Sequence, residues 1–306
     1  VDQLDPGNPS YNMQVALRLT GPLDTRALDA VLSLVVARHE VLRTTIAADE
    51  QGEPWPVVAP PEACRTPAID LAALPPDLRD AERQRIAAAE ATRPFHLSYG
   101  PLFRTLLLRL DTDEHLLLLT SHHIVSDGWS SGVLVGELAR GYETLAAGRE
   151  PALAPLPLRY RDYAVWQRQR GESAWRASLA FWTETLDRLP PGLTLPCDRP
   201  RPARPSHVGA SCSAVLDAGT VDRLSRFARD EQATLFVVML AALQSLLMRH
   251  SQQDDIAVGT VVANRPPGTD TVIGDFANTL VMRGDLSGDP TARTFVRRTR
   301  DRVQRA

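Results

Sequence analysis

The amino-acid sequence predicts an α+β protein in which a pattern of strands and helices is loosely repeated. Short alternating or unbroken apolar runs, typical of strands, are interspersed with longer segments whose apolar residues recur every three or four positions, as in amphipathic helices. Residues 23–28 and 216–221 are similar strand-to-helix junctions, one in each part of the chain. These observations indicate an internally duplicated α+β fold with two related lobes.

The first part of the chain is predicted to alternate strands with helices. Apolar side chains alternate along residues 13–19, as in a strand with one buried face. Gly21 and Pro22 end that strand, and Asp24 or Thr25 can cap the following helix. The other predicted elements are a helix end leading into a strand (38–46), a proline-rich connection with one short strand (54–76), an amphipathic helix (80–92), a hairpin (102–110 and 115–121), and two helices beginning at Ser130 and Tyr160.

Six prolines between residues 190 and 205 mark the predicted bridge into a second lobe. The longest apolar stretch, residues 235–248, is too short to span a bilayer comfortably and is predicted to be a helix buried on most sides. The other predicted elements of this lobe are a strand (211–216), a helix capped by Thr220, two strands (256–262 and 280–283) and a final helix (292–304).

Composition favours an ordinary globular protein. The 306 residues are 43% hydrophobic and 23% charged with a net charge of −3, which gives no reason to expect nucleic acid or a membrane surface as a partner. All 34 basic residues are arginine, which excludes a catalytic lysine. Three unpatterned cysteines predict neither a disulfide framework nor a zinc ribbon, and with no secretory signal visible we expect a cytoplasmic location.

Residues 116–130 are the most informative stretch. Four leucines predict a buried strand that ends at His122 and His123, and an Asp-Gly-Trp turn leads from there to the helix predicted to be capped by Ser130. Neighbouring side chains of an extended chain point to opposite sides, so only one of the two histidines can easily face a substrate. Zinc needs three or four protein ligands, and Asp127 is the only other candidate nearby, so no metal site is predicted.

Four motifs in this order resemble those of the condensation domain of nonribosomal peptide synthetases. They are Arg38-His39-Glu40 with residues 42–44, the HHxxxDG signature within residues 121–130, residues 160–167, and residues 273–280. Together they span most of the chain. By this resemblance, the family's first motif would precede Val1 and its last two would follow Ala306. In the last matching motif, Asp275 and Ala277 replace residues that are usually apolar, a departure expected to touch no catalytic group.

The resemblance implies two chloramphenicol-acetyltransferase-like lobes, residues 1–189 and an incomplete lobe of residues 190–306, forming a V-shaped pseudodimer with a central tunnel. It also implies amide-bond formation between a donor acyl or peptidyl thioester and an acceptor aminoacyl thioester. Phosphopantetheine arms of donor and acceptor carrier domains would deliver the substrates, with an adjoining adenylation domain in a multidomain synthetase. No cofactor bound covalently to the domain, no nucleic acid and no membrane are implied.

The resemblance assigns His123 to the substrate side, where a neutral imidazole can accept a proton or hydrogen-bond the amine or the tetrahedral intermediate. His122 points away and braces the turn. Asp127 is expected to form a structural salt bridge rather than to act in catalysis. Its preferred partner is Arg265, with Arg283 and Arg43 as further candidates.

Three further residues of the same stretch complete the predicted site. Gly128 lets the backbone approach substrate, and its amide is either an oxyanion donor or simply part of a turn. Trp129 and Ser126 are placed by the resemblance at the tunnel wall. Separately, Arg38, Glu40 and Arg43 are predicted to form one ionic cluster within the first lobe.

The resemblance around HHxxxDG implies an enzyme of the subclass that joins two L-configured residues. Three alternatives stay open: an epimerization-type relative with the same signature, a non-catalytic docking or recruitment domain, and a free-standing acyltransferase that uses coenzyme A thioesters. Recruitment relatives usually lose the second histidine, whereas His123 is present here.

Overall fold

The computed structural model describes residues 5–151, 153–200, 202–203 and 209–306. It shows two compact units, one made of Val1–Gln169 and Ala263–Ala277, the other of Arg170–Val262 and Asn278–Ala306. The predicted mixture of strands and helices is confirmed, whereas the lobe boundary after residue 189 stays a prediction. The strands and helices are β1 (Asn12–Thr20), α1 (Thr25–Arg38), β2 (Thr44–Ala48), β3 (Pro54–Val58), β4 (Ala68–Asp70), α2 (Pro76–Thr92), β5 (Phe103–Asp111), β6 (Glu114–His122), α3 (Gly128–Ala146), α4 (Tyr160–Gln169), α5 (Gly171–Thr185), α6 (Ala218–Asp230), α7 (Leu235–Ser251), β7 (Asp255–Val262), β8 (Asn278–Asp285) and α8 (Ala292–Val303).

The first unit is built on a four-stranded sheet with the order β1-β6-β5-β4. Strand β6 pairs antiparallel with both β1 and β5, so its backbone groups are bonded on both edges. Its four leucines, residues 116–119, are at most 8% exposed, because both faces of the strand are covered. This explains an unbroken apolar run where a half-exposed strand would alternate.

Helices α1 and α3 pack together and contribute to the main core of this unit. A Cβ atom on Gly141 of α3 would lie 2.3 Å from Val31 Cγ2 of α1, so a glycine is required where the two helices cross. Asp24 caps α1 by accepting hydrogen bonds from Arg26 N and Ala27 N, as one of the two predicted caps. Leu117 and Leu119 of β6 belong to the same core as the buried residues of these two helices.

Two predicted helix caps were wrong. Helix α3 is capped by Asp127, whose carboxylate accepts from Ser130 N, and not by Ser130, which lies inside the first turn. Helix α6 is capped by Asp217, which accepts from Thr220 N. In both cases a carboxylate three residues before the hydroxyl residue takes the capping role, which Asp and Ser fill about equally well.

The second unit contains α5 to α8 and the antiparallel pair β7 and β8. Its core includes Val237, Val238 and Ala241 of α7 together with Phe295 and Val296 of α8. Helix α5 was not predicted. Residues 211–216 form no strand, contrary to the prediction, and Val215 is 97% exposed there.

Helix α7 was predicted to be buried on most sides, and this prediction was wrong. Leu235, Phe236, Met239, Leu243 and Leu246 on this helix are 37–52% exposed. Apolar side chains therefore also lie on a part of the helix surface that the described residues of its unit leave exposed. In the described part of the chain, no single helix has the length and apolarity to cross a membrane; α6 and α7, bent by 102°, pass that test only as a pair, by length and composition.

Candidate functional site

The two histidines at the end of β6, His122 and His123, lie in different surroundings. His122 is 8% exposed, and its Nδ1 accepts a hydrogen bond from Ile124 N at 3.1 Å. Its ring stacks on Tyr11 and meets Phe95 edge-on, with centroid distances of 6.0 and 6.1 Å. The ring is therefore buried at the turn with Nδ1 as an acceptor, and its role in bracing the turn stays a prediction.

His123 begins a 3₁₀ helix, His123–Val125, and its side chain is 36% exposed. Its Nδ1 lies 3.4 Å from Asp275 Oδ1, within ion-pair distance. The Asp275 carboxylate raises the pKa of His123 above its ordinary value; burial opposes this, and the residue's own carbonyl and the more distant Asp127 add to it. His123 is therefore the histidine that is accessible and has a carboxylate beside it.

The contact with Asp275 overturns one expectation. Asp275 was predicted to alter packing only, yet its carboxylate forms an ion-pair contact with the His123 imidazole. The two positions are far apart in sequence, and the resemblance drew attention to Asp275 only as a departure from an apolar position. Its carboxyl oxygen Oδ1 is enclosed and receives no well-aligned hydrogen bond from the described residues.

Asp127 is fully occupied by structural contacts. Its Oδ1 accepts from Ser130 N at 2.7 Å and from Arg265 Nη2 at 2.8 Å, and its Oδ2 accepts from Phe276 N at 3.1 Å. Burial raises the pKa of Asp127, but the hydrogen bonds outweigh it, so the pKa lies below its ordinary value. The carboxylate is ionised at neutral pH and anchors the start of α3.

Arg265 is the partner that the structure places against Asp127; the side chains are 4% and 3% exposed. Its Nη1 also donates to the carbonyls of Thr269 and Val272, at 2.8 Å each. The other two candidate arginines lie elsewhere: Arg283 pairs with Asp255 at 2.7 Å, and Arg43 donates to the carbonyl of Ala59.

Residues 273–276 are held against the start of α3. Ser130 Oγ donates to Gly274 O at 2.9 Å and accepts from Gly274 N at 3.1 Å. The Tyr160 hydroxyl, whose pKa is raised by burial, donates to Asp275 O at 2.8 Å. A Cβ on Gly274 would lie 2.1 Å from the Tyr160 ring, so only glycine permits this approach. The roles of Ser130 and Tyr160 were not predicted, although both lie in recognised motifs.

Gly128 is the first residue of α3, and a Cβ atom there would meet nothing within 4 Å. Its amide is among the first amides of the helix, which have no partner within the helix and can bind a developing negative charge. Trp129 is 50% exposed and donates from Nε1 to Asp270 O at 2.9 Å. Ser126 is 3% exposed, and its N donates to His123 O at 3.3 Å.

A cavity of about 470 Å³ adjoins the start of α3. Its lining includes Gly128, Trp129, Val133, Arg140 and Thr271. Among the described residues, no group of three or more His, Cys, Asp or Glu side chains is placed to hold a metal ion. His123 is not among the residues that line this cavity, so the open space borders the start of α3, whose first turn is capped by Asp127.

The predicted ionic cluster of Arg38, Glu40 and Arg43 does not form. Arg38 and His39 instead contact Glu137 of α3, at 3.1 and 2.8 Å. Glu40 lies near two other arginines, Arg159 and Arg161, at 3.5 and 3.1 Å. Residues that are neighbours in this motif therefore bind different partners, and their closeness in sequence did not predict this.

Comparison with known proteins gives the class to which this fold and site belong. The family model described as "Condensation domain" matches residues 1–306. The chain therefore belongs to the condensation domain family, as the four motifs predicted, and its relatives are parts of nonribosomal peptide synthetases.

Three matches illustrate the similarity. The chain is 45% identical over 304 residues to a linear gramicidin synthase polypeptide of Brevibacillus parabrevis, covering 98% of the chain and 4% of that protein. It is 32% identical, with a TM-score of 0.87, to a chain in the complex of the X-domain and OxyB from teicoplanin biosynthesis, covering 98% of this chain and 66% of that one. It is 25% identical, with a TM-score of 0.79, to the first condensation domain of the CDA synthetase, covering 99% and 72%.

The chain thus spans a small fraction of its curated relative and about two thirds to three quarters of these solved chains. At the level of the family, condensation domains of nonribosomal peptide synthetases form amide bonds, although some relatives do not catalyse this reaction.

Proposed function

We propose that this chain catalyses amide-bond formation between a donor acyl or peptidyl thioester and an acceptor aminoacyl thioester, both carried on phosphopantetheine arms of carrier domains. The observation that supports this most is the difference between the two histidines. His122 is buried with Nδ1 occupied, whereas His123 is partly exposed and lies beside a carboxylate. The chain retains the one imidazole that such a reaction needs.

In the proposed reaction the acceptor amine nitrogen attacks the donor thioester carbonyl carbon. The carbonyl π electrons move to oxygen, and the Gly128 amide stabilises the oxyanion. His123 accepts the proton that the amine loses as the C–N bond forms. When the tetrahedral intermediate collapses, the C–S bond breaks and the departing thiolate takes the proton from the imidazolium. The products are an amide on the acceptor carrier and a free thiol on the donor carrier.

Asp127 has a structural role in this proposal, because its two oxygens already accept three hydrogen bonds. Trp129 is proposed to border the path of the substrates, from the cavity next to Gly128. Ser126, placed at the tunnel wall by the resemblance, is only 3% exposed and is too buried to line that path. The partners proposed are donor and acceptor carrier domains and an adjoining adenylation domain. The subclass proposed is the one that joins two L-configured residues.

The test is an assay of the intact protein with two loaded carrier domains, in which dipeptidyl product is measured by mass spectrometry. His123→Ala is expected to lower turnover by about 100-fold or more, the usual range for losing a general base. His250→Ala is the matched control, because His250 is exposed on α7. Full turnover by His123→Ala would refute its assigned role, and no product from the wild-type protein would refute the function.

A second candidate is a recruitment domain that binds a partner enzyme without catalysis. It is favoured by the identity of 32% to the chain in the complex of the X-domain and OxyB, against 25% to the first condensation domain of the CDA synthetase. The assay separates the two, because a recruitment domain would bind the loaded carriers or a partner enzyme and form no product. An epimerization-type relative would instead invert the donor residue, which chiral analysis of the released amino acid detects.

A further inference from the structure

We propose that Asp275 is a positioning residue for His123, fixing the imidazole with its proton on Nδ1 and leaving the Nε2 lone pair to accept the proton of the substrate amine. This inference rests on the proposed function of His123. It assigns a role to a residue that departs from the usual apolar type at this motif position. Its basis is the contact of 3.4 Å between Asp275 Oδ1 and His123 Nδ1.

The position of Asp275 is set by contacts on both sides of it. Ser130 bonds the N–H and the carbonyl of Gly274, and Asp127 accepts from Phe276 N. Tyr160 donates to the carbonyl of Asp275 itself. The backbone around Asp275 is thus tied at four points to α3 and α4. A side chain on so constrained a backbone can hold a negative charge close to His123 without adjusting the rest of the loop.

The carboxyl oxygen that faces His123 has no other use among the described residues. Asp275 Oδ1 is enclosed and receives no hydrogen bond of good geometry. A buried polar atom without a partner is costly, typically by about 1–3 kcal/mol. A small rotation of the imidazole would satisfy it with the Nδ1 proton. The cost falls further when His123 becomes an imidazolium, which is the state formed during the reaction.

The alternative orienting carboxylate is already occupied. Asp127 is the other acid that acts on His123, but its oxygens are taken by Ser130, Arg265 and Phe276. The groups facing His123 are therefore Asp275 from the loop, the carbonyl of His123 itself, and Asp127 at the start of α3, whose charge Arg265 largely neutralises. Among these described groups, Asp275 alone combines a full negative charge with an uncommitted oxygen.

The chemical consequence is a histidine with a defined tautomer and a stronger base. A neutral imidazole with the proton on Nε2 cannot accept a proton there, so fixing the Nδ1 proton makes every neutral molecule competent. A raised pKa makes His123 a better proton acceptor, but it also requires a higher pH before the ring is neutral. Asp275 thus exchanges activity at low pH for a faster reaction at high pH.

The experiment compares Asp275→Asn with wild type in the intact protein by two independent measurements. The first is the pH profile of condensation with two loaded carriers. Asp275→Asn is expected to move the acidic limb of kcat to lower pH and to lower the high-pH plateau by about tenfold or more. The second is an NMR titration of the His123 ring, in which the pKa is expected to fall in the variant and the Nδ1-protonated tautomer to lose its dominance.

Two further variants make the result specific. Asp275→Leu restores the apolar type that the family usually has at this position, so it should fold and show the same pKa and pH-profile changes. Asp113→Asn removes one exposed carboxylate at the tip of the β5–β6 hairpin and is expected to change neither. An unchanged limb together with an unchanged His123 pKa in Asp275→Asn would overturn the proposal, as would a uniform loss of rate at every pH.

The NMR arm separates failure of this inference from failure of the proposed function. If wild type forms no amide but the His123 pKa still falls in both Asp275 variants, the contact is supported and the catalytic role of His123 is wrong. If wild type is active and the His123 pKa does not depend on Asp275, only the positioning role is wrong.

Discussion

Replacing Asp127 by asparagine is expected to lower the free energy of unfolding of the first unit by about 3–5 kcal/mol, the usual cost of leaving one partner of a buried ion pair alone. Arg265 is the group left behind. Its remaining acceptors are two carbonyls and the Ser130 hydroxyl, none of which carries a charge. The guanidinium would therefore stay buried, at 4% exposure, without a counter-charge.

The geometry explains why an amide of nearly the same shape cannot substitute. Each carboxyl oxygen of Asp127 faces N–H donors: Ser130 N and Arg265 Nη2 at Oδ1, and Phe276 N at Oδ2. Whichever way an asparagine is turned, its own NH₂ group points at a donor. One hydrogen bond of about 1 kcal/mol is lost in the better orientation, in addition to the lost charge.

The assay is urea unfolding at pH 7, with Asp24→Asn as the matched control. Asp24 also caps a helix, but it is exposed, and within the described part of the chain its carboxylate accepts from Arg26 N and Ala27 N alone. Because Asn and Asp cap about equally well, the control is expected to lose less than about 0.5 kcal/mol. The double variant Asp127→Asn with Arg265→Gln should lose less than the sum of the two single variants, since the unpaired cation is then gone.

The difference between wild type and Asp127→Asn should also depend on pH. The pKa of Asp127 is lower in the folded protein, so its contribution is complete above the unfolded pKa of about 3.9 and disappears as the pH falls through the folded value. The reasoning would be refuted if Asp127→Asn unfolded like Asp24→Asn while losing condensation activity, because the carboxylate would then act in the reaction.

Three other variants have defined outcomes. Gly274→Ala places a methyl group 2.1 Å from the Tyr160 ring, so urea unfolding should show a loss of about 1–3 kcal/mol from overpacking. Gly128→Ala meets no atom within 4 Å, so its unfolding midpoint should not fall, whereas turnover should drop about tenfold if the thioester approaches that backbone. Glu137→Gln leaves Arg38 and His39 without a carboxylate and should lower the free energy of unfolding by about 3 kcal/mol at pH 7, measured in the same way.

Elements with a strong local pattern could be predicted from the sequence. The alternating apolar residues of β1 and the unbroken leucines of β6 each indicate which faces of the strand are buried. This pattern can be recognised from the residues of the strand alone. Residues 211–216 show the limit of the method. They have strand-like residue types but no neighbouring strand in the described structure, and a strand depends on a partner that its own sequence does not specify.

The residues of the site could be predicted where they belong to a recognised motif. The two histidines and Asp127 belong to one short signature, and the choice of Arg265 came from the resemblance, since spacing alone did not distinguish it from Arg283 or Arg43. The use of Ser130 was missed because its hydroxyl bonds a backbone segment from far along the chain. Contacts of this kind depend on tertiary structure and produce no periodic pattern in the sequence.

The chemistry of His123 therefore depends on two motifs together. The HHxxxDG signature supplies the imidazole and, through Asp127 and Ser130, the docking points for residues 274–276. The residue carried at position 275 then decides what charge lies beside that imidazole. The hydrogen bonds that hold residues 274–276 to Asp127 and Ser130 are made by backbone groups, and none of them involves the side chain of residue 275. That side chain can therefore change without removing these hydrogen bonds. Two chains with the same signature and the same fold can for this reason differ in the pH at which their histidine accepts a proton.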